Sequence, residues 1–162
     1  MRRFSLRTLI VACLLAGGLI GFYRKPIANF LGLNRSKPPI QIESAEQMDL
    51  ALTSSSAIIF AHVDWSSTSF LARKNFADFV LHWTENGNRH IDFFFLDLTD
   101  AQQNAPTHVQ QWLASDIRLS GLPIRGSGDV VWLKNGKFRK WITAYNLTPD
   151  DLENETKTIF SQ

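Results

Sequence analysis

Two short, nearly unbroken apolar runs narrow the choice of fold more than any other feature of this sequence. Residues 57–63, AIIFAHV, follow a Ser54-Ser55-Ser56 turn signal, and residues 91–98, IDFFFLDL, carry three consecutive phenylalanines. A strand with one wet face alternates apolar and polar residues, so continuous runs of strand length predict strands buried on both faces under helices. The neighbouring segments supply those helices. Ser44 is a good cap for AEQMDLALTSS, where Met48, Leu52 and Ala45 share a face. After the first run, Ala72, Phe76, Phe79, Val80 and Trp83 recur at helical spacing until Asn86 and Gly87 supply a stop. Another helix is read over residues 107–116, followed by DIRLSGLPIRGSG as a long Gly/Ser loop. Residues 129–133 and 137–143 flank Lys134, Asn135 and Gly136, a strong hairpin signal. Thr148 as cap, Pro149 at the first helical position, and Asp150 and Asp151 in the first turn open a last helix. With a short strand over residues 40–42, the order βαβαβαββα predicts an α/β sandwich, a mixed central sheet with helices on both faces and an antiparallel edge hairpin.

A different segment precedes this domain. Residues 9–23, LIVACLLAGGLIGFY, hold no charged side chain and are flanked by Arg2, Arg3 and Arg7 before and Arg24 and Lys25 after. A span wants about 20 apolar residues, and basic flanks that snorkel extend a shorter core, so residues 1–25 are read as a signal anchor or transmembrane helix. Ala16, Gly17 and Gly18 leave open cleavage by a signal peptidase and a secreted domain. Arginines on the short N-terminal side favour an extracytoplasmic C-terminal domain on a single-pass chain. Residues 26–39, with Asn, Gly, Ser and the paired Pro38 and Pro39, are a linker, leaving 40–162 as the globular part. A net charge of +2 with its basic residues gathered near the N-terminus gives no nucleic-acid footprint. The single cysteine, Cys13, lies in the apolar run, so the folded part has no thiol for a disulfide, a Cys-based metal site or a nucleophile.

The element order, Trp65 at the end of the second strand, LKNG in a late hairpin and LTPDDL at the final helix together resemble thioredoxin over everything after the linker. The resemblance implies a thioredoxin-like domain in which Trp65-Ser66-Ser67-Thr68-Ser69 stands where that family has W-C-x-x-C. Ser66 and Ser69 fall on the two cysteine positions. A hydroxyl cannot replace a thiolate in disulfide exchange, so the resemblance implies a redox-inactive member. The family's buried acid falls on Phe60, and its cis-proline falls on Gly128 or, with an insertion, on Pro123.

Each candidate has a structural role to set beside a functional one. Ser66, Ser67, Thr68 and Ser69 suit helix capping, which satisfies orphan N–H groups. A serine nucleophile would need a base and an orienting acid, and His62 and Asp64 lie on the strand while Ser66 starts another element. His62, His82, His90 and His108 lie on four elements without ligand spacing, which predicts no metal site. Gly126-Ser127-Gly128 precedes a strand rather than a helix, so it is no phosphate loop. No cofactor is expected. The reading is a membrane-tethered thioredoxin-like module that binds a protein or peptide at a face formed by Asp64, Trp65, Ser66, Ser69, Gly126, Ser127 and Gly128. The alternative is a thioredoxin-fold oxidoreductase-related enzyme that acts with a partner's thiols.

Overall fold

The computed structural model describes residues 38–86, 90–99, 106–121 and 124–161. The expected anchor over residues 1–25, most of the expected linker, and Pro123 lie outside the described residues. Among those described, no helix is long and apolar enough to cross a membrane.

Five strands form one mixed sheet. β1 (Ile40–Gln41) and β2 (Ser56–His62) both pair in parallel with β3 (Asp92–Asp97); β4 (Ser127–Lys134) runs antiparallel to β2, and β5 (Lys137–Thr143) antiparallel to β4. The spatial order is β1-β3-β2-β4-β5, which puts the two apolar runs at the centre. Helices cover both faces. One core joins Ile59, Ala61, Phe94, Leu96, Val131 and Leu133 to Met48 of α1 (Ala45–Thr53), to Val109 and Trp112 of α3 (Thr107–Ser115), and to Leu119. The other joins Ile58, Phe60, Phe93, Val130 and Trp132 to Phe76, Phe79 and Trp83 of α2 (Ser67–Glu85) and Leu152 of α5 (Pro149–Phe160). Burial on both sides is why residues 57–63 show no alternation.

Local chemistry sets the element ends. Ser44 and Gln47 form a capping box on α1, with Gln47 N–H donating to Ser44 Oγ at 3.4 Å and Ser44 N–H to Gln47 Oε1 at 2.9 Å. Thr148 and Asp151 do the same for α5. Asn135 and Gly136 both have positive φ, 52° and 70°, as a two-residue hairpin turn requires. All five apolar positions expected on α2, from Ala72 to Trp83, are buried. The buried side of α1 differs from expectation: Met48 and Ala51 are buried and Ala45 is exposed, because the seam runs forward from Met48 at helical spacing.

The segment after α3 also departs from the expected loop. Ile117–Ser120 form a further helical turn, α4, capped by Asp116, whose carboxylate accepts from Arg118 N–H at 2.9 Å. Leu119 within it is 2% exposed, and that anchor is what orders the turn. β4 begins at Ser127, earlier than the expected residue 129, with a bulge where Ala61 pairs Asp129 and His62 pairs Ser127.

Candidate functional site

The junction of β2 and α2 is built by hydroxyls. Ser66 is the N-cap of α2, its Oγ accepting from Ser69 N–H at 3.4 Å and sharing a 2.7 Å hydrogen bond with Thr68 Oγ1. Ser69 is 1% exposed, and its Oγ accepts from Val63 N–H at 3.1 Å. That bond ties the end of the strand to the start of the helix. The chain between them turns outward at Asp64 and Trp65. Trp65 is 60% exposed, and Phe70 and Leu71 in the opening turns of α2 are 70% and 55% exposed. Three large apolar side chains facing water at one helix start depart from the burial of Ala72, Phe76 and Phe79 on the same helix.

The Gly126-Ser127-Gly128 corner packs against this junction from β4. Gly126 and Gly128 are buried and have φ of 76° and 93°. A Cβ at Gly126 would meet Val63 Cγ1 at 2.7 Å and the His62 carbonyl at 2.9 Å; one at Gly128 would overlap the Ala72 methyl outright. These glycines therefore admit the protein's own β2 and α2, not an outside chain, so the backbone of Gly126 and Gly128, expected on the binding face, is taken up by internal packing. Asp129, 1% exposed, holds the corner: its carboxylate accepts from Arg125 N–H at 3.0 Å, Gly126 N–H at 2.9 Å and Thr143 Oγ1 at 3.0 Å. Ser127 is half-buried, and the last rung between β4 and β5 is Asp129 to Thr143, so at Ser127 β4 extends past its β5 partner.

A polar group closes the C-terminal ends of β2 and β3 on the α2 side. Phe60 and His62 stack at 6.0 Å between ring centroids, and His62 meets the Phe95 ring edge-on at 6.1 Å. In register beside His62 lies Asp97, and two residues beyond His62 on the chain is Asp64, with Oδ1 3.7 Å from His62 Nδ1. Thr99 braces both acids: its N–H and Oγ1 donate to Asp97 Oδ1 at 2.8 and 2.5 Å, and its Oγ1 accepts from Asp64 N–H at 3.0 Å. Arg73 of α2 reaches Asp64 Oδ1 at 3.4 Å. Burial pushes the His62 imidazole below its ordinary value and Arg73 adds to this, outweighing the upward pull of Asp97 and Asp64. Burial pushes Asp97 upward, but the two Thr99 bonds, helped by His62 and Arg73, hold its carboxyl below the ordinary value.

The structure thus gathers the sequence-derived residues at one end of the sheet and divides them. Asp64, Trp65 and Ser127 face outward or partly so, Ser66 caps, and Ser69, Gly126 and Gly128 form the buried frame. Sequence reasoning missed Phe70 and Leu71, whose signal was apolar side chains outside the helical stripe. It also separated His62 from any ligand partner, because Asp97 joins it only through the parallel pairing of β2 with β3. Trp83 is a core residue as its helical spacing predicts, Trp112 and Trp132 are buried in the core as well, and Trp141 packs against it half-buried.

No protein-family model matches the sequence, and no curated protein matches it either. Solved structures do match. The chain is similar to the thioredoxin of Trypanosoma brucei brucei at 11% identity and a TM-score of 0.55, with 79% of this chain and 97% of that one covered. It is similar to the thioredoxin of Malassezia sympodialis at 15% identity and 0.52, with 75% and 93% covered. The oxidised thioredoxin of Plasmodium falciparum gives 11% identity and 0.51, with 74% and 96% covered. With the strand order and register described above, these likenesses establish that the described residues adopt a thioredoxin fold.

Proposed function

We propose that this chain is a membrane-tethered thioredoxin-fold module that binds a protein or peptide segment and performs no thiol chemistry. The observation that carries the reading is the exposure of Trp65, Phe70 and Leu71 beside Ser66 and Ser69, whose hydroxyls are committed to capping and to the Val63 N–H. Exposed aromatic and large aliphatic side chains on a rigid helix start suit a partner's apolar anchor, since such residues dominate binding energy. Ser127, past the end of the β4–β5 ladder, offers polar backbone nearby to an extended chain. The contact face in this reading is Asp64, Trp65, Ser66, Phe70, Leu71 and Ser127, framed by Ser69, Gly126 and Gly128. The uncharged run over residues 9–23 with its basic flanks supports the tether, and the placement of the only cysteine in the sequence, Cys13, within that run supports the absence of exchange chemistry in the domain.

The test is site-specific photocrosslinking of the full chain in carbonate-washed membranes. A photoreactive residue at position 70 is expected to trap a discrete partner, and one at exposed position 81, near the far end of α2, is not. The position-70 product is expected to disappear in a Trp65→Ala background. Equal trapping at both positions refutes the face, and recovery of the intact chain in the wash refutes the tether.

A further inference from the structure

We propose that His62, Asp64 and Asp97 form a binding site for one borderline first-row divalent cation, of which Zn2+ is the representative. The inference does not rest on the partner-binding role, although Asp64 belongs to both sites.

His62 is the starting point. Its side chain is 3% exposed, and among the described residues neither Nδ1 nor Nε2 has a hydrogen-bond partner. A buried polar group without a partner is costly, about 1–3 kcal/mol, and folded proteins rarely retain one without a reason. An imidazole has two uses in such a place, a hydrogen bond or a metal. At 3.7 Å from Asp64 Oδ1, His62 Nδ1 is too far for the hydrogen bond. The gap suits a shared ion better. One ligand atom from each of His62, Asp64 and Asp97 lies within 4.8 Å of the others. Tetrahedral zinc with bonds of about 2.1 Å needs ligand atoms about 3.4 Å apart. Closing that difference takes a shift of about an ångström in the two carboxylates. Both carboxylates belong to exposed residues and can make it, whereas His62 is fixed between Phe60 and Phe95.

The surroundings fit the same purpose. Burial favours the neutral imidazole, the form that binds metal. Thr99 donates twice to Oδ1 of Asp97 and accepts from the Asp64 backbone N–H, so one residue orients the Asp97 carboxylate, as outer partners of metal ligands commonly do, and holds the chain that carries Asp64. Arg73 opposes a cation, yet its side chain is 52% exposed and its 3.4 Å contact with Asp64 is long enough to yield. One nitrogen and two oxygens on three protein residues leave open coordination positions on the water side. Imidazole in the set favours Zn2+ over Mg2+ or Ca2+, which take oxygen ligands.

The experiment is calorimetric titration of the purified full chain with ZnCl2, then with MnCl2 and MgCl2. One equivalent of Zn2+ is expected to bind, more tightly than Mn2+, with no uptake of Mg2+. His62→Phe, which keeps a ring between Phe60 and Phe95, is expected to weaken Zn2+ binding by about a hundredfold or more, and Thr99→Val by about tenfold. Asp97→Asn changes an exposed side chain and should fold normally, so it carries the test if His62→Phe does not fold; it too is expected to lose most of the affinity. His82→Gln and His90→Gln, both exposed positions, are expected to leave binding unchanged. Absence of Zn2+ binding, or binding that persists in both His62→Phe and Asp97→Asn, overturns the site.

Discussion

Replacing Gly128 by alanine tests how the β4 corner is held against α2. The backbone at Gly128 has φ of 93°, a conformation that costs an L-residue about 1–2 kcal/mol. The new methyl would overlap that of Ala72, which is fully buried on α2 and cannot swing aside as a long side chain could. Forcing an extra carbon into such a contact costs about 1–3 kcal/mol. Together the two effects predict a loss of about 2–5 kcal/mol, a large part of the 5–15 kcal/mol typical of a domain. Urea denaturation of residues 38–162 followed by circular dichroism reads this as a lower midpoint at an unchanged slope. Ala72→Gly in the same chain removes the opposing methyl. It adds a helix penalty of about 1 kcal/mol but relieves the overlap, so the double variant should be less destabilised than the sum of the singles by about 1–3 kcal/mol. A Gly128→Ala midpoint indistinguishable from the parent, or strict additivity with Ala72→Gly, would refute the packing argument.

Much of the fold was legible because its physics is local. The runs at residues 57–63 and 91–98 read as doubly covered strands since no alternation survives burial on both faces, and Lys134-Asn135-Gly136 read as a hairpin since two consecutive positive φ angles favour Asn and Gly. Ser66 read as a cap because its hydroxyl acts within its own turn. What was not legible depends on distant neighbours. Glycine at 126 and 128 announces a close approach without naming what approaches, and only the fold shows that His62, Val63 and Ala72 do. The pairing of His62 with Asp97 rests on strand register, to which the residues themselves give no clue. The helical turn at Ile117–Ser120 is ordered by burial of Leu119 against a core made elsewhere, against the Gly/Ser character of its surroundings.

Three other outcomes are expected. Thr156→Val removes the acceptor of the buried Trp132 Nε1–H, 3.0 Å away, at nearly constant volume, and is expected to cost about 1–3 kcal/mol by the same denaturation; a change under about 0.5 kcal/mol would show that the indole finds another partner. Asp116, held down to about 2 from 3.8 chiefly by its hydrogen bonds from Arg118, contributes stability that is present above pH 3.8 and is lost as pH falls toward 2. Asp116→Asn, which can still cap α4, should therefore flatten the melting temperature against pH across that window, and an unchanged slope would contradict the assignment. The domain is expected to reduce no insulin disulfides with a regenerating thiol system; the double change Ser66→Cys with Ser69→Cys should form a disulfide on oxidation yet turn over slowly, since Phe60 offers no proton acceptor, and turnover by the parent above the reductant blank would return the domain to the enzymes.

The central claim is that this fold works through the apolar side chains around Trp65. Once a partner has been trapped from position 70 and identified, its dissociation constant should be measured for the parent domain, Trp65→Ala and Leu81→Ala, each checked for folding by circular dichroism. Trp65→Ala is expected to weaken binding about 30-fold, the loss of about 2 kcal/mol that marks a hot spot, while Leu81→Ala stays within about twofold of the parent. Equal affinity for all three would contradict the account.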